Sequence, residues 1–182
     1  SPSHTWVEGP FLYHLLSGDA RVLESALATC DLLVGEILNH YDFTNCRNSG
    51  WHLIHLSAAY RTTGRRLYLN AARIIVERVL ERQRASGGWD RLMVPGHCHC
   101  NPPRHTGNAG FMVGILMVGL QRYHEATGDR RAAESIVRAA RYCIDAMWVP
   151  EKGAFRYTSC PHSSVGGGAD MLTAEGQGQL AA

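Results

Sequence analysis

Residues 107–120 constrain the fold more than any other stretch of the chain. Phe111, Met112, Val113, Ile115, Leu116, Met117, Val118 and Leu120 leave a helix built from them with no polar face. Such a helix must be enclosed by protein or by lipid. The run is shorter than the ~20 residues of a membrane span, and Gly107, Gly110, Gly114 and Gly119 interrupt it. A buried inner helix over residues 107–123 is the expectation, with Gly110 and Gly114 giving neighbouring helices room to approach closely. Immediately upstream, His97, His99 and His105 crowd together with Cys98 and Cys100. Proton-active and metal-capable side chains therefore stand at the entrance to the most buried element.

Three segments of the chain repeat one pattern, in which an apolar helix is followed by a tight turn at glycine and then by an amphipathic helix. The turns are at Gly18, Gly64 and Gly128, and the amphipathic helices that follow cover residues 22–37, 67–84 and 132–148. Glycine at each turn ends a helix in the left-handed conformation that it alone adopts cheaply. Asp19 and Asp129 are placed to cap the next helix. The second members carry charged faces, as in Arg73, Glu77, Arg78, Glu81 and Arg82, or Arg131, Glu134, Arg138 and Arg141. They belong on the outside, and the first members line the inside. Turns from inner to outer helix are short, whereas the returns, roughly 38–48, 85–106 and 149–168, are long. Loops of that length in a compact domain are usually functional. Antiparallel hairpins gather all the long loops at one end, and that end is the expected site.

Paired inner and outer helices with "TGD"-type turns resemble the (α/α) toroid of six-hairpin glycosidases and related polysaccharide lyases. The resemblance runs along nearly the whole chain and is carried best by Tyr123-His-Glu-Ala-Thr-Gly-Asp, Arg47-Asn-Ser-Gly-Trp51 and Gly87-Gly-Trp-Asp90. It implies an all-α fold of antiparallel hairpins and a carbohydrate-active domain, glycoside hydrolase or polysaccharide lyase, with a glycan as partner. Three hairpins are about half of such a ring, and residues 166–182 read as the start of a fourth inner helix. The chain is thus expected to be one helical domain, residues 1–182, within a larger toroid that the remainder of the protein or a second copy completes.

With 182 residues, 45% of them hydrophobic and 19% charged, the chain can bury a core. Its formal net charge of +2, with arginines spread along helices and no basic block among aromatics, gives no case for nucleic acid. No stretch has the character of a signal peptide or a membrane span. His4-Thr5-Trp6-Val7-Glu8 already reads as structured sequence, which leaves an upstream leader and the localisation open. Of the cysteines, Cys30 and Cys143 fall on apolar helix faces and read as buried thiols.

Two kinds of cleavage chemistry find candidates near the expected mouth. Glycoside hydrolysis needs two carboxylates. Only Glu8, Asp42, Asp90 and Asp170 are expected there, and Glu8 and Asp90, beside Trp6 and Trp89, are the pair of choice. Elimination from a uronate instead needs a base such as His or Tyr and a cation or amide to hold the enolate. His97, His105 and Tyr157 are candidates for the first role, with His97 preferred over His99, and Arg47 and Asn48 for the second. Toroid lyases, as the resemblance implies, use a similar vocabulary. Sugar binding falls to His4, Trp6, Arg47, Asn48, Trp51, His52 and Trp89, rings for apolar sugar faces and polar groups for hydroxyls or a carboxylate. The competing reading makes Asn48 or Ser49 a helix cap and Trp51 core; His55 reads as a core histidine. No cofactor is the favoured reading. If zinc is held, its ligands are expected among Cys98, His99, Cys100 and His105, with Cys160 and His162 able to supply more, although the spacing matches no standard zinc motif. A non-catalytic glycan- or protein-binding module, or a zinc-dependent toroid enzyme, are the alternatives.

Overall fold

A computed structural model of the protein describes residues 4–100 and 105–165. The fold is all-α, and the described residues form six α-helices in chain order: α1 Glu8–Ser17, α2 Ala20–Asn39, α3 Cys46–Thr63, α4 Arg66–Arg82, α5 Gly110–Thr127 and α6 Arg130–Met147. The proposed fourth inner helix, at 166–182, lies outside the described residues.

The hairpin turns share one local chemistry. Gly18, Gly64 and Gly128 have φ of 73°, 69° and 73°, and each N–H caps the carbonyl four residues back. The residue before each glycine, Ser17, Thr63 or Thr127, bonds its hydroxyl to the preceding turn and accepts from the residue after the glycine. Asp19 and Asp129 then cap α2 and α6 by accepting from Arg21 N and Arg131 N. Short turns of this kind force each pair antiparallel.

Successive hairpins stack in parallel. Arg47 at the start of α3 lies over Phe111 at the start of α5, and Arg61 near its end pairs with Glu125. In the outer layer Glu77 of α4 meets Arg131 of α6, and Gln83 meets Ser135 and Arg138. Between α3 and α5 the backbones touch. A methyl group on Gly119 would stand 2.5 Å from Gly50 O, and one on Gly50 would strike the backbone at Ile115. Gly50 and Gly119 are thus points of backbone contact between the two helices. Burial follows the expected layers. α5 is enclosed from Val113 to Met117 and α3 from His52 to Ser57. Tyr68, Ile75 and Val76 of α4 and Ala139, Cys143 and Met147 of α6 close the core from outside.

α1 departs from the expected enclosure. Phe11 is its one buried residue, while Leu12, Tyr13, Leu15 and Leu16 are exposed. An apolar circumference shows that a helix wants cover on all sides, and among the described residues α1 stands at one edge of the row with that cover lacking. No helix among the described residues is long and apolar enough to cross a membrane.

The long returns carry two-residue ladders, β1 Arg91–Leu92 with β2 Thr106–Gly107, and β3 Trp148–Val149 with β4 Ala154–Phe155, the second pair joined through a 3-10 turn at Pro150–Lys152. The return between α4 and α5 and the segment after α6 are laced together. Gly110 N donates to Tyr157 O, Ser159 N to Asn108 O and His99 N to His162 O. Side chains add Thr158 Oγ1 to His97 O and Asn108 N to Ser159 Oγ.

Candidate functional site

At the loop end, a ribbon of rings and one guanidinium runs across the starts of α3 and α5. His97 stands edge-on to Tyr157, with ring centres 6.0 Å apart, and Tyr157 stacks on Phe111 at 5.6 Å. The Arg47 guanidinium lies 5.7 Å above the Phe111 ring, and its Nη2 is 3.2 Å from His4 Nε2. His4 meets Trp6 edge-on, Trp6 meets Trp51 at 5.9 Å, and Trp51 stacks on His55. His55 neighbours His52, whose Nδ1 is 2.7 Å from Tyr41 Oη. Local sequence explains the placement. Asn45 caps α3 by accepting from Asn48 N, which puts Arg47, Asn48 and Trp51 on its first turns. Gly96, at φ 90°, makes the bend before His97. That glycine serves backbone conformation, since nothing lies within 4 Å of where its methyl would be.

Among the described residues, four buried polar atoms on this ribbon or on the first turns of α3 lack a hydrogen-bond partner: Arg47 Nε, Asn48 Oδ1, Trp51 Nε1 and His97 Nδ1. Buried donors and acceptors are nearly always satisfied, so four in one place call for a ligand or ordered water. His97 is held below the usual histidine range, first by loss of water and then by the charge of Arg91, instead of near 6.5 as expected for a free general base. Beside the ribbon, a cavity of about 250 Å³ is lined by Thr5, Thr29, Leu32, Leu33, Glu36, His52 and His55. Glu36 is a carboxylate the sequence reading overlooked. It sits near the end of an outer helix, and helix periodicity alone does not tell which outer residues curl over the rim.

Several expected site residues do other work. Trp89 is 2% exposed; its Nε1 donates to Val79 O and its N–H to Asn108 Oδ1, so it is scaffold and offers no face to a sugar. Asp90 accepts from the same amide, Asn108 Nδ2, which also bonds Tyr142 Oη. Glu8 instead pairs with Arg122 Nε at 3.3 Å, within a groove of about 180 Å³ between α1, α3 and α5. Glu8 thus engages Arg122 of α5, and Asp90 engages Asn108 in the loop before that helix. Asp42 spends its carboxylate on Thr44 N and Oγ1; Asp170 lies outside the described residues. Phe111, assigned to the core from sequence, is a half-buried member of the ribbon.

His105 is also drawn away from the ribbon, and His99 from the thiols. Cys98, Cys100, His105 and Cys160 bring one ligand atom each to within 4.8 Å of one another. Cys98 Sγ is 3.9 Å from His105 Nε2, and Cys100 Sγ is 3.8 Å from Cys160 Sγ. Loss of water, and then the neighbouring thiols Cys98 and Cys160, push Cys100 up to about 11. His99 Nε2 turns to Ser164 Oγ at 3.3 Å, and the fourth position is Cys160. The backbone bends from His97 to His99, and across those bends Cys98 and Cys100 face the cluster while His99 faces Ser164.

No protein-family model matches the sequence, and no curated protein matches it. Among solved structures, the chain is similar to unsaturated glucuronyl hydrolase from Streptococcus agalactiae, with a TM-score of 0.66 and 16% identity over 84% of this chain. The match takes in 37% of that enzyme's chain, so this chain spans well under half of its structural neighbour. The likeness establishes the fold: the hairpins pack as in an (α/α) toroid.

Proposed function

We propose that the chain forms the substrate-binding mouth of a carbohydrate-active toroid enzyme that cleaves a glycan containing an acidic sugar. The observation that carries this reading is the set of four buried polar atoms, unpartnered among the described residues, on and beside an aromatic ribbon at the loop end. Trp6, Trp51 and Phe111 offer rings to apolar sugar faces, and Arg47 offers a guanidinium to a carboxylate. Asn48 Oδ1 and Trp51 Nε1 match the mixed donors and acceptors of hydroxyl groups. The structural neighbour is named for a glucuronyl group, an acidic sugar of the class that Arg47 suits.

His97 is the proton-transfer group in this reading, with Tyr157 at its edge. Elimination next to a uronate carboxylate fits the ribbon best, because Glu8 and Asp90 are already bonded elsewhere. Hydrolysis is the second reading, favoured by Glu36 on the cavity beside His52 and His55. Uronate-containing oligosaccharides, with neutral ones as controls, test both. Binding of the acidic set should weaken by about tenfold to a hundredfold in Arg47→Ala. His97→Ala should keep binding and lose turnover, while His99→Ala keeps both. Ultraviolet absorbance of a new double bond marks elimination, and reducing ends without it mark hydrolysis. Binding without turnover in the complete protein would leave a glycan-binding module. Equal affinity for acidic and neutral sugars, unaffected by Arg47→Ala and Trp51→Ala, would end the proposal.

A further inference from the structure

We propose that Cys98, Cys100, His105 and Cys160 form a structural zinc site that pins the α4–α5 loop to the segment after α6, just behind His97 and Tyr157. This inference needs only the two loops, and it stands or falls apart from the glycan reading.

The geometry suits the ion. A zinc–sulfur distance of about 2.3 Å places the sulfurs of a tetrahedral site about 3.8 Å apart, and a sulfur and a nitrogen slightly closer. Cys100 and Cys160 are separated by 3.8 Å, and Cys98 and His105 by 3.9 Å. All four ligand atoms lie within 4.8 Å of one another, so the longest edge is within about 1 Å of the tetrahedral value. Three thiolates and an imidazole are a soft, tetrahedral donor set of the kind zinc selects.

The positions are set before any ion arrives. Met93 N donates to His105 O, and His99 N to His162 O. Thr158 Oγ1 donates to His97 O and accepts from Cys160 N, which fixes both backbones that carry sulfur ligands. Outside the four, His162 Nδ1 lies 3.5 Å from Cys100 Sγ. An N–H there would donate to the thiolate and steady it, as outer partners of zinc ligands commonly do.

A disulfide between Cys100 and Cys160 is the competing use of the cluster. It would draw together two sulfurs and give no role to Cys98 or to the histidine that faces it. With four protein ligands, zinc has no open position for water or substrate. The ion would therefore hold the loops and leave proton chemistry to the ribbon, unlike the zinc in a zinc-dependent enzyme.

Elemental analysis of the full chain, prepared under reducing conditions without chelator, should find one zinc per chain. Stripping it with a chelator should lower the melting temperature, and zinc chloride should restore it. Cobalt in its place should give the absorption of a tetrahedral, thiolate-rich site. Cys160→Ser and His105→Ala should lose stoichiometric zinc while keeping helical circular dichroism. His162→Ala should weaken zinc retention by roughly tenfold, and Cys30→Ala, Cys143→Ala and His99→Ala should retain it. Failure of the reduced, folded wild-type chain to take up zinc would overturn the proposal. So would bound iron in place of zinc, a Cys100–Cys160 disulfide in the protein as isolated, or equal loss of zinc in His99→Ala and His105→Ala.

Discussion

At the scale of single residues, His55 shows how burial turns a titratable group into a stability switch. It is 2% exposed, and burial, followed by the charge of His52, pushes its pKa down to about 3. In the unfolded chain the same ring titrates near 6.5. Above pH 6.5 both states are neutral and the contribution of His55 is intact. As pH falls below that value, the unfolded chain takes a proton that the folded protein refuses, and stability is lost at no more than about 1.4 kcal/mol per pH unit. Denaturant unfolding at pH 7.5 and pH 5 should show the wild type losing about 1–2 kcal/mol more than His55→Gln. Equal losses would mean that His55 is not held neutral. The role of Trp89 belongs to the same scale. Its neighbours in sequence, Gly87, Gly88 and Asp90, suggested a loop residue open to sugar. Its ring is instead claimed by Val79 on α4 and its backbone by Asn108, and neither partner is close to it in the chain.

The helices and their turns were legible because their signals are local. A left-handed glycine, a hydroxyl before it and an aspartate after it mark a hairpin within three residues. The apolar circumference of residues 107–120 was enough to place α5 inside. The loops were less legible because their order comes from partners far along the chain: Cys160 reaches Cys100 across 60 residues, and Tyr157 meets Phe111 across the whole of α6. Sequence reading put Arg47 and His97 at one end of the hairpins, where Tyr157 and Phe111 link them, but it assigned Phe111 to the core, did not name Glu36, and named Cys160 only as a further thiol beside Cys98, His99, Cys100 and His105. Two glycines outside the pair Gly110 and Gly114 make opposite predictions. Gly119→Ala places a methyl 2.5 Å from Gly50 O and 3.0 Å from Leu53 Cβ, and should destabilise by about 1–3 kcal/mol. Gly35, inside α2 with nothing within 4 Å of its added methyl, should do the opposite: Gly35→Ala should gain about 0.5–1 kcal/mol. Melting temperatures of the two variants check the pair. A Gly119→Ala protein as stable as the wild type would show that α3 and α5 are not in backbone contact.

At the scale of the whole molecule, the row of hairpins has two ends that no other described residue covers. α1 exposes Leu12, Tyr13, Leu15 and Leu16, and α6 with the residue after it exposes Val137, Ile144 and Trp148. In a ring each end would meet another hairpin. Alone, the chain should associate as its concentration rises, and Leu16→Lys, at a position 90% exposed, should shift sedimentation towards the monomer without loss of helical signal. Monomer at every concentration, or unchanged association of the variant, would show that α1 is not the contact. The parallel stacking has a further consequence, for how the chain reaches its fold. Packing is concentrated within each hairpin and against the next one, so ordering can begin locally and spread along the row. The α3–α4 hairpin has neighbours on both sides and is the natural nucleus. The thiol-bearing loops require α4, α5 and α6 to be in place before their ligands converge, so the metal would bind as a late latch on a folding reaction already nearly complete.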